Sequence, residues 1–118
     1  MLTFEQGDIV RVPFPYTDRD TRQRRPALVV SSGDLGEEAA LLWVVMITSA
    51  ENRPWTDDIA ISDHGSAGLP APSVVRPVKI ATVEARHVEP IGKLPDEIRQ
   101  SVIRRIAGIL SIAPRADV

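Results

Sequence analysis

The sequence contains no cysteine in its 118 residues. This excludes a disulfide framework, thiolate chemistry and a zinc site built on cysteine. The chain also lacks any run of about 18 apolar residues, the length that a membrane-spanning helix requires. Its first residues, MLTFEQGD, are not basic and no long apolar stretch follows them, so we do not expect a secretory signal. The default expectation is a cytoplasmic protein.

Several motifs of common enzyme classes are also missing. The two histidines, His64 and His87, lie far apart in the chain and show no ligand spacing on a helix, so no bound metal is expected. The sequence has no glycine-rich phosphate loop of the P-loop or dinucleotide type. It has no nucleophile-elbow pattern, and nothing therefore supports a Ser/His/Asp triad. We expect no cofactor.

An overall excess of positive charge, which is typical of nucleic-acid-binding proteins, is absent because the net charge is −2. The charges are nevertheless uneven. Residues 19–25 carry four arginines and one acid, Asp20, which makes this segment +3 and the remainder of the chain −5. A cationic patch on an acidic body suits a small footprint on a polyanion, or an acidic partner segment. The alternative is a solvated loop that is merely rich in arginine.

Short apolar runs separated by turn signals predict a mainly β chain. The predicted strands are Ile9–Pro13, Ala27–Val30, Ala39–Ile47, Asp58–Ser62 and Ser73–Ile80. Taken alone, Ala39–Leu42 would also fit a helix. Pro77 indicates an edge, a bulge or a strand end. Thr82–Glu89 alternates without a clear apolar face, and we interpret Glu89–Lys93 as a connector.

One amphipathic helix is predicted at Pro95–Ile112. Pro95 suits the first turn, acidic residues follow it, and the apolar residues fall on one stripe until Pro114 ends the helix. With several strands before it, this order predicts a single domain over residues 1–118, a small β-barrel or strongly bent antiparallel sheet with a terminal helix packed on it.

An arginine, a hydroxyl and a carboxylate form the most suggestive set of polar residues. Arg25 stands before Pro26 at the start of one strand, and Thr48 closes the next long strand. If these strands pair antiparallel, the two residues lie near each other, and Asp20 is in the adjacent loop. Such a set fits metal-free cleavage of RNA, which supplies its own 2′-OH nucleophile. Taken one by one, the same residues also fit a surface arginine, a strand end and a turn.

Five segments together resemble one family: GDIVRVPFP, RRPALVVSS, VVMITS, SVVRPVKIATVE and LPDEIRQSVIRRIAGIL. In this order they are similar to the MazF/PemK toxins of bacterial toxin–antitoxin systems. The resemblance implies an SH3-like barrel of the CcdB/PemK type with a C-terminal helix, usually as a homodimer. It implies a metal-independent endoribonuclease that cuts single-stranded mRNA to leave a 2′,3′-cyclic phosphate and a 5′-OH. It further implies an antitoxin whose acidic, disordered tail covers the RNA site.

The resemblance also assigns roles to individual residues. Arg25 and Thr48 match the family's catalytic arginine and threonine, and Asp20 falls where many members have a glutamate. Arg76 matches an arginine that some members use, although the acid found two residues later is replaced by Val78. The residues expected to contact RNA, or the antitoxin in the case of the loop arginines, are Arg19, Arg22, Arg24, Trp55, Arg76 and Lys79.

A guanidinium keeps its proton at neutral pH, so Arg25 is better suited to stabilising the phosphorane than to taking a proton. Thr48 would bond a phosphate oxygen, and Asp20 would accept the 2′-OH proton. We expect Trp43 in the core. Trp55 would either stack on a base or pack on a dimer partner or barrel edge.

Two other functions share this fold class. A CcdB-like toxin would poison a topoisomerase without catalysis, and an SH3-like module would only bind a partner. In the CcdB-like toxin, Arg25 would be dispensable.

Overall fold

A six-stranded antiparallel sheet followed by a helix makes up the described part of the computed structural model, which covers residues 3–13, 24–33, 35–36 and 41–111. The elements in chain order are β1 (Asp8–Pro13), β2 (Arg24–Val29), β3 (Leu41–Ser49), β4 (Ile59–Ile61), β5 (Ser73–Glu84), β6 (Glu89–Lys93) and α1 (Asp96–Ile109), with a 3₁₀ turn at Ala85–His87 between β5 and β6. The prediction of a mainly β chain with a C-terminal helix is confirmed.

The sheet curls into a half-barrel with the strand order β4-β5-β3-β2-β1-β6. Two irregularities in the pairing increase its curvature, since a bulge bends a strand and strengthens its twist. One lies between Ile9 and Val10, where β1 pairs with β6. The other lies where Val45 pairs with Ile80 but its neighbour Met46 pairs with Arg76. Residues 77–79 therefore bulge out of β5, which confirms one of the alternatives predicted from Pro77.

Both faces of the sheet are apolar, because successive residues of a strand point to opposite sides. In β3, Leu42, Val44 and Met46 belong to the first core cluster, whereas Val45 and Ile47 belong to the second. The first cluster also contains Val12, Ala27, Val29 and Val83. Helix α1 covers the second cluster with the fully buried Val102 and the partly buried Ile98, Ile103 and Ile106.

One prediction about a chain segment was wrong, and the bounds of another differ from those predicted. Glu89–Lys93 is not a connector but the edge strand β6, paired antiparallel with β1. Pro90 and Gly92 are residues typical of turns, which favoured a connector in this segment, yet proline is tolerated in edge strands. Helix α1 starts at Asp96, with Pro95 as its N-cap, and ends at Ile109. Residue 112, the predicted end, lies outside the described residues. In the described ranges, no helix has the length and apolar character needed to cross a membrane.

The expectation that Trp43 is a core residue was also wrong, since 48% of its surface is exposed. It lies on the face of the second cluster, but beyond the part that helix α1 covers. There it borders a groove of about 350 Å³, called the apolar groove below. Its described lining residues are Gln6, Val30, Ser31, Ser32, Leu35, Trp43, Ile80, Ile103, Ile106, Ala107 and Leu110. None of these carries a charge.

Candidate functional site

Arg25 and Thr48 lie at the same end of neighbouring strands and on the same face of the sheet. Strands β2 and β3 pair antiparallel, with Ala27 opposite Met46. Arg25 comes two residues before Ala27 and Thr48 two residues after Met46, so their positions oppose each other just beyond this ladder. The antiparallel pairing on which the sequence prediction depended is confirmed.

Met46 connects this pair to a third strand. It is the cross-strand neighbour of Ala27 in β2 and of Arg76 in β5. Residues that are two apart in a strand share a face. The backbone therefore places Arg25, Thr48 and Arg76 around Met46, on the side of the first core cluster.

The hydroxyl of Thr48 is oriented by a neighbour that sequence reasoning missed. Its Oγ1 accepts a hydrogen bond of 2.7 Å from Nδ2 of Asn52. The backbone amide of Asn52 in turn donates to the carbonyl oxygen of Ser49 at 3.1 Å, which closes a turn directly after β3. A hydroxyl that accepts one bond keeps its own proton for donation to another group. An asparagine four residues after a strand-end threonine is the signal that could have identified this contact.

Arg76 is buried and pairs with Asp58, an acid from outside its own strand. Its Nε donates to Asp58 Oδ1 at 3.0 Å and its Nη2 to Asp58 Oδ2 at 2.9 Å. The same Nη2 donates to the carbonyl oxygen of Arg53 at 3.1 Å. The hydrogen bonds from Arg76 hold the pKa of Asp58 below its usual range, although burial of the carboxylate opposes this shift.

Trp55 lies on this ion pair. The guanidinium carbon of Arg76 is 4.3 Å from the centroid of the indole ring, and Nζ of Lys79 is 5.5 Å from it. The Trp55 amide donates to Asp58 Oδ2 at 2.9 Å, and the Asp58 amide donates to the Trp55 carbonyl at 3.2 Å. Asp58 thus binds both the backbone amide of Trp55 and the guanidinium of Arg76, which lies against the indole ring. Sequence reasoning missed Asp58, although aspartate is a common turn residue that bonds the nearby backbone.

The arginine cluster predicted from sequence is only partly described. Asp20, Arg19 and Arg22 lie outside the described residues. Nη2 of Arg24 donates to the carbonyl oxygen of His87 at 2.6 Å, and the same atom lies 3.9 Å from Oε2 of Glu89. As neighbours in a strand, Arg24 and Arg25 point to opposite faces. Arg24 is therefore separated from the face that carries Thr48.

His64 and His87 belong to different parts of the fold, the turn after β4 and the 3₁₀ turn after β5. Within the described ranges, no group of three or more His, Asp or Glu side chains is placed to hold a metal ion.

The fold has been seen in other proteins. One is a chain of a MazE–MazF crystal structure from Deinococcus radiodurans, with a TM-score of 0.72 and 21% identity, over 96% of this chain and 100% of that chain. MazF alone from the same organism gives a TM-score of 0.72 and 21% identity, over 95% and 100% of the two chains. An endoribonuclease in complex with its cognate antitoxin, from a mycobacterial species, gives 0.73 and 17%, over 97% and 99%. No curated protein matches the sequence significantly.

Sequence comparison with protein families gives a match over most of the chain. The family model described as "PemK-like, MazF-like toxin of type II toxin-antitoxin system" matches residues 5–110. This range includes all six strands and helix α1. The chain therefore belongs to the PemK-like, MazF-like family of type II toxin–antitoxin toxins.

Proposed function

We propose that this chain is a toxin that cuts single-stranded mRNA in the cytoplasm without a metal ion, with residues 1–118 forming one toxin domain. The observation that carries the proposal is the placement of Arg25 and Thr48 at opposed positions of β2 and β3, on one face and at one end of the sheet. Membership of the toxin family supports it. So does the mycobacterial structure of similar fold, which is named an endoribonuclease.

In the proposed reaction the 2′-OH of the RNA attacks the adjacent phosphorus. The bond from phosphorus to the 5′ oxygen breaks, leaving a 2′,3′-cyclic phosphate, and the 5′ oxygen takes up a proton to become a 5′-OH. Arg25 stabilises the charge of the phosphorane, because a guanidinium matches two phosphate oxygens and stays protonated. Asp20 accepts the proton of the 2′-OH.

Thr48 acts as a hydrogen-bond donor to a phosphate oxygen in this scheme. Its Oγ1 already accepts a bond from Asn52, so the hydroxyl proton is directed away from Asn52. A donor that is oriented before the substrate arrives needs no rearrangement in the transition state, which makes it more effective.

The partner would be an antitoxin with an acidic, disordered tail. The complexes of similar fold with MazE and with a cognate antitoxin support this. A tail of carboxylates would meet the same cations as the RNA phosphates. The cations proposed for RNA or antitoxin are the arginines Arg19, Arg22 and Arg24, and the cation proposed for RNA alone is Lys79, with Trp55 beside it.

A second copy of the chain would cover the apolar groove and Trp43. Large exposed apolar patches mark interaction sites on soluble proteins. Because none of the described lining residues is charged, the groove does not complement an acidic tail. The charge distribution thus favours a homodimer contact here and the antitoxin tail elsewhere.

The test is cleavage of a long single-stranded RNA in EDTA by the purified chain. Arg25→Ala is expected to lower the cleavage rate by about 10²–10³-fold, the usual cost of removing a group that stabilises transition-state charge. Arg11→Ala is the matched control, because Arg11 is an exposed arginine of the neighbouring strand. Circular dichroism and thermal melting would check that both variants fold. Cleavage by Arg25→Ala at the wild-type rate would exclude this mechanism, and the absence of any cleavage would favour a CcdB-like or purely binding role.

A further inference from the structure

Trp55 combines exposure with a fixed position. Its side chain lies in the loop of residues 50–58, and 43% of the residue surface is exposed. One carboxylate, that of Asp58, binds both the backbone amide of Trp55 and the Arg76 guanidinium that lies against the indole ring. The free protein therefore already holds the indole in one orientation, so that little conformational freedom is lost when a ligand stacks on it.

Arg76 is poorly suited to contact a phosphate itself. It is only 6% exposed, and Nε and Nη2, the nitrogens of its side fork, are both bonded to Asp58. The end-on fork shares Nη2, which also donates to the carbonyl oxygen of Arg53. A bidentate phosphate contact would have to replace this buried pair, and breaking a buried pair is costly. The contacts of Arg76 therefore fit a residue that influences the ligand indirectly, by holding the indole ring of Trp55 in place.

The surroundings of Trp55 favour a nucleobase over an apolar peptide. Cations lie against or near its ring, with Arg76 at 4.3 Å and Lys79 at 5.5 Å. A stacked base brings a phosphate with it, and the Lys79 ammonium would meet that phosphate. The other half-exposed tryptophan, Trp43, borders a groove whose described lining is uncharged.

The loop also joins Trp55 to the cleavage site. It begins directly after β3, and Asn52 bonds the hydroxyl of Thr48. Three residues further on, Trp55 is anchored by Asp58. A base stacked on Trp55 would thus belong to a nucleotide close to the cleaved phosphate.

We propose that Trp55 is a base-stacking platform for a nucleotide close to the cleaved phosphate, and that Arg76 and Asp58 are positioning residues which orient it. This rests on the proposed function for its RNA ligand. Arg76 is accordingly a support of the site, not an RNA contact.

The first experiment uses short single-stranded 2′-O-methyl RNA of random sequence, which cannot be cut because its nucleophile is blocked. Binding is measured by fluorescence anisotropy and by tryptophan emission. The RNA is expected to quench Trp55, and Trp55→Leu is expected to weaken binding about tenfold or more. Trp55→Phe keeps an aromatic ring and should retain most of the affinity, while the quenching disappears. An abasic strand of equal length should bind the wild type as weakly as the RNA binds Trp55→Leu.

Equal affinity for the abasic strand would overturn the platform, and so would unchanged binding by Trp55→Leu. Quenching of Trp55 by polyglutamate but not by the oligonucleotide would overturn it in favour of an acidic peptide. Because none of these measurements needs cleavage, the cutting of long RNA in EDTA remains a separate test of the proposed function.

A double-mutant cycle separates positioning from direct contact. Arg76→Lys keeps the charge but cannot form the bidentate pair with Asp58. It is expected to weaken RNA binding several-fold in the wild type, and to have no further effect when Trp55 is already leucine. In cleavage assays Arg76→Lys should raise KM and leave kcat within about twofold, as for lost uniform binding. A loss of affinity that persists in the Trp55→Leu background would show that Arg76 binds RNA directly, and would refute its positioning role.

Discussion

At the scale of single residues, Gly92 shows how tightly the edge strand β6 is held. A Cβ added at this position would lie 2.3 Å from the carbonyl oxygen and 2.9 Å from the carbonyl carbon of Ala67. Both are backbone atoms, which cannot rotate away as a side chain would. Glycine is therefore required by the approach of the loop after β4, and not by a turn in β6.

Gly92→Ala is expected to lower the free energy of unfolding by about 1–3 kcal/mol, the usual cost of overpacking. Gly108→Ala is the control: Gly108 is a helical residue, and apart from its own helix backbone no described atom lies within 4 Å of the added Cβ. Alanine there should be neutral or stabilising by up to about 1 kcal/mol. Urea unfolding of the three proteins measures both effects. Equal midpoints for the two variants would contradict the close packing at Gly92.

The Asp58 carboxylate links stability to pH. Its pKa is lowered in the folded state, chiefly by hydrogen bonds from Arg76. The folded state thus binds this proton less readily than the unfolded state, in which the pKa is about 3.9. The stabilisation is complete well above that value and is lost as the pH falls through the lower, folded pKa.

Asp58→Asn is expected to flatten this dependence. The variant should be less stable at neutral pH, because Arg76 loses its buried partner, and it should lose less further stability on acidification. Urea unfolding at pH 7 and at a series of acidic pH values measures the slope. A slope as steep as that of the wild type would mean that other carboxylates cause the acid sensitivity.

At the scale of elements, the strands and the helix were largely predictable because their apolar periods are clear. The nearness of Arg25 and Thr48 was also predictable, since it follows from one antiparallel pairing. The pairing of Arg76 with Asp58 was not, because it depends on the bulge after Arg76 and on the path of an irregular loop. Trp43 was misjudged because hydrophobicity indicates a strand but not how far the helix covers it.

Helix α1 offers an element-scale prediction at its first turn. Its N-cap, Pro95, accepts a bond from the Arg99 amide through its carbonyl oxygen but has no side-chain acceptor for the helix amides. Pro95→Ser would supply one, and Pro95→Ala is the control that removes the ring without adding an oxygen. The serine variant is expected to be more stable than the alanine variant by about 1 kcal/mol in thermal or urea unfolding. Equal stability would mean that water already satisfies these amides.

At the scale of the whole molecule, the charges and the apolar surface are separated. The cations of residues 19–25 and the Trp55 region suit a polyanion, whereas the apolar groove suits a neutral surface such as a second copy. A monomer that left Trp43 and Leu110 in water would expose a contiguous apolar area.

Trp43→Glu is therefore expected to shift the protein from dimer to monomer in sedimentation velocity. Burying an unpaired carboxylate in an apolar contact costs free energy, whereas in the monomer the carboxylate of this variant remains in water. Trp55→Glu is the matched control, because it places the same charge at the other half-exposed tryptophan. It should leave the dimer intact. Dissociation by both variants, or by neither, would place the contact elsewhere.

The half-barrel, unlike a closed barrel, leaves two sheet edges, and both resist the addition of a further strand. β4 is only three residues long, and β6 contains Pro90, which has no amide to donate. Short strands and edge prolines are known protections against edge-to-edge aggregation. We therefore expect any self-association to proceed through side chains and not through a shared backbone ladder. Contacts of that kind can dissociate and re-form, whereas a ladder between sheet edges would extend from chain to chain.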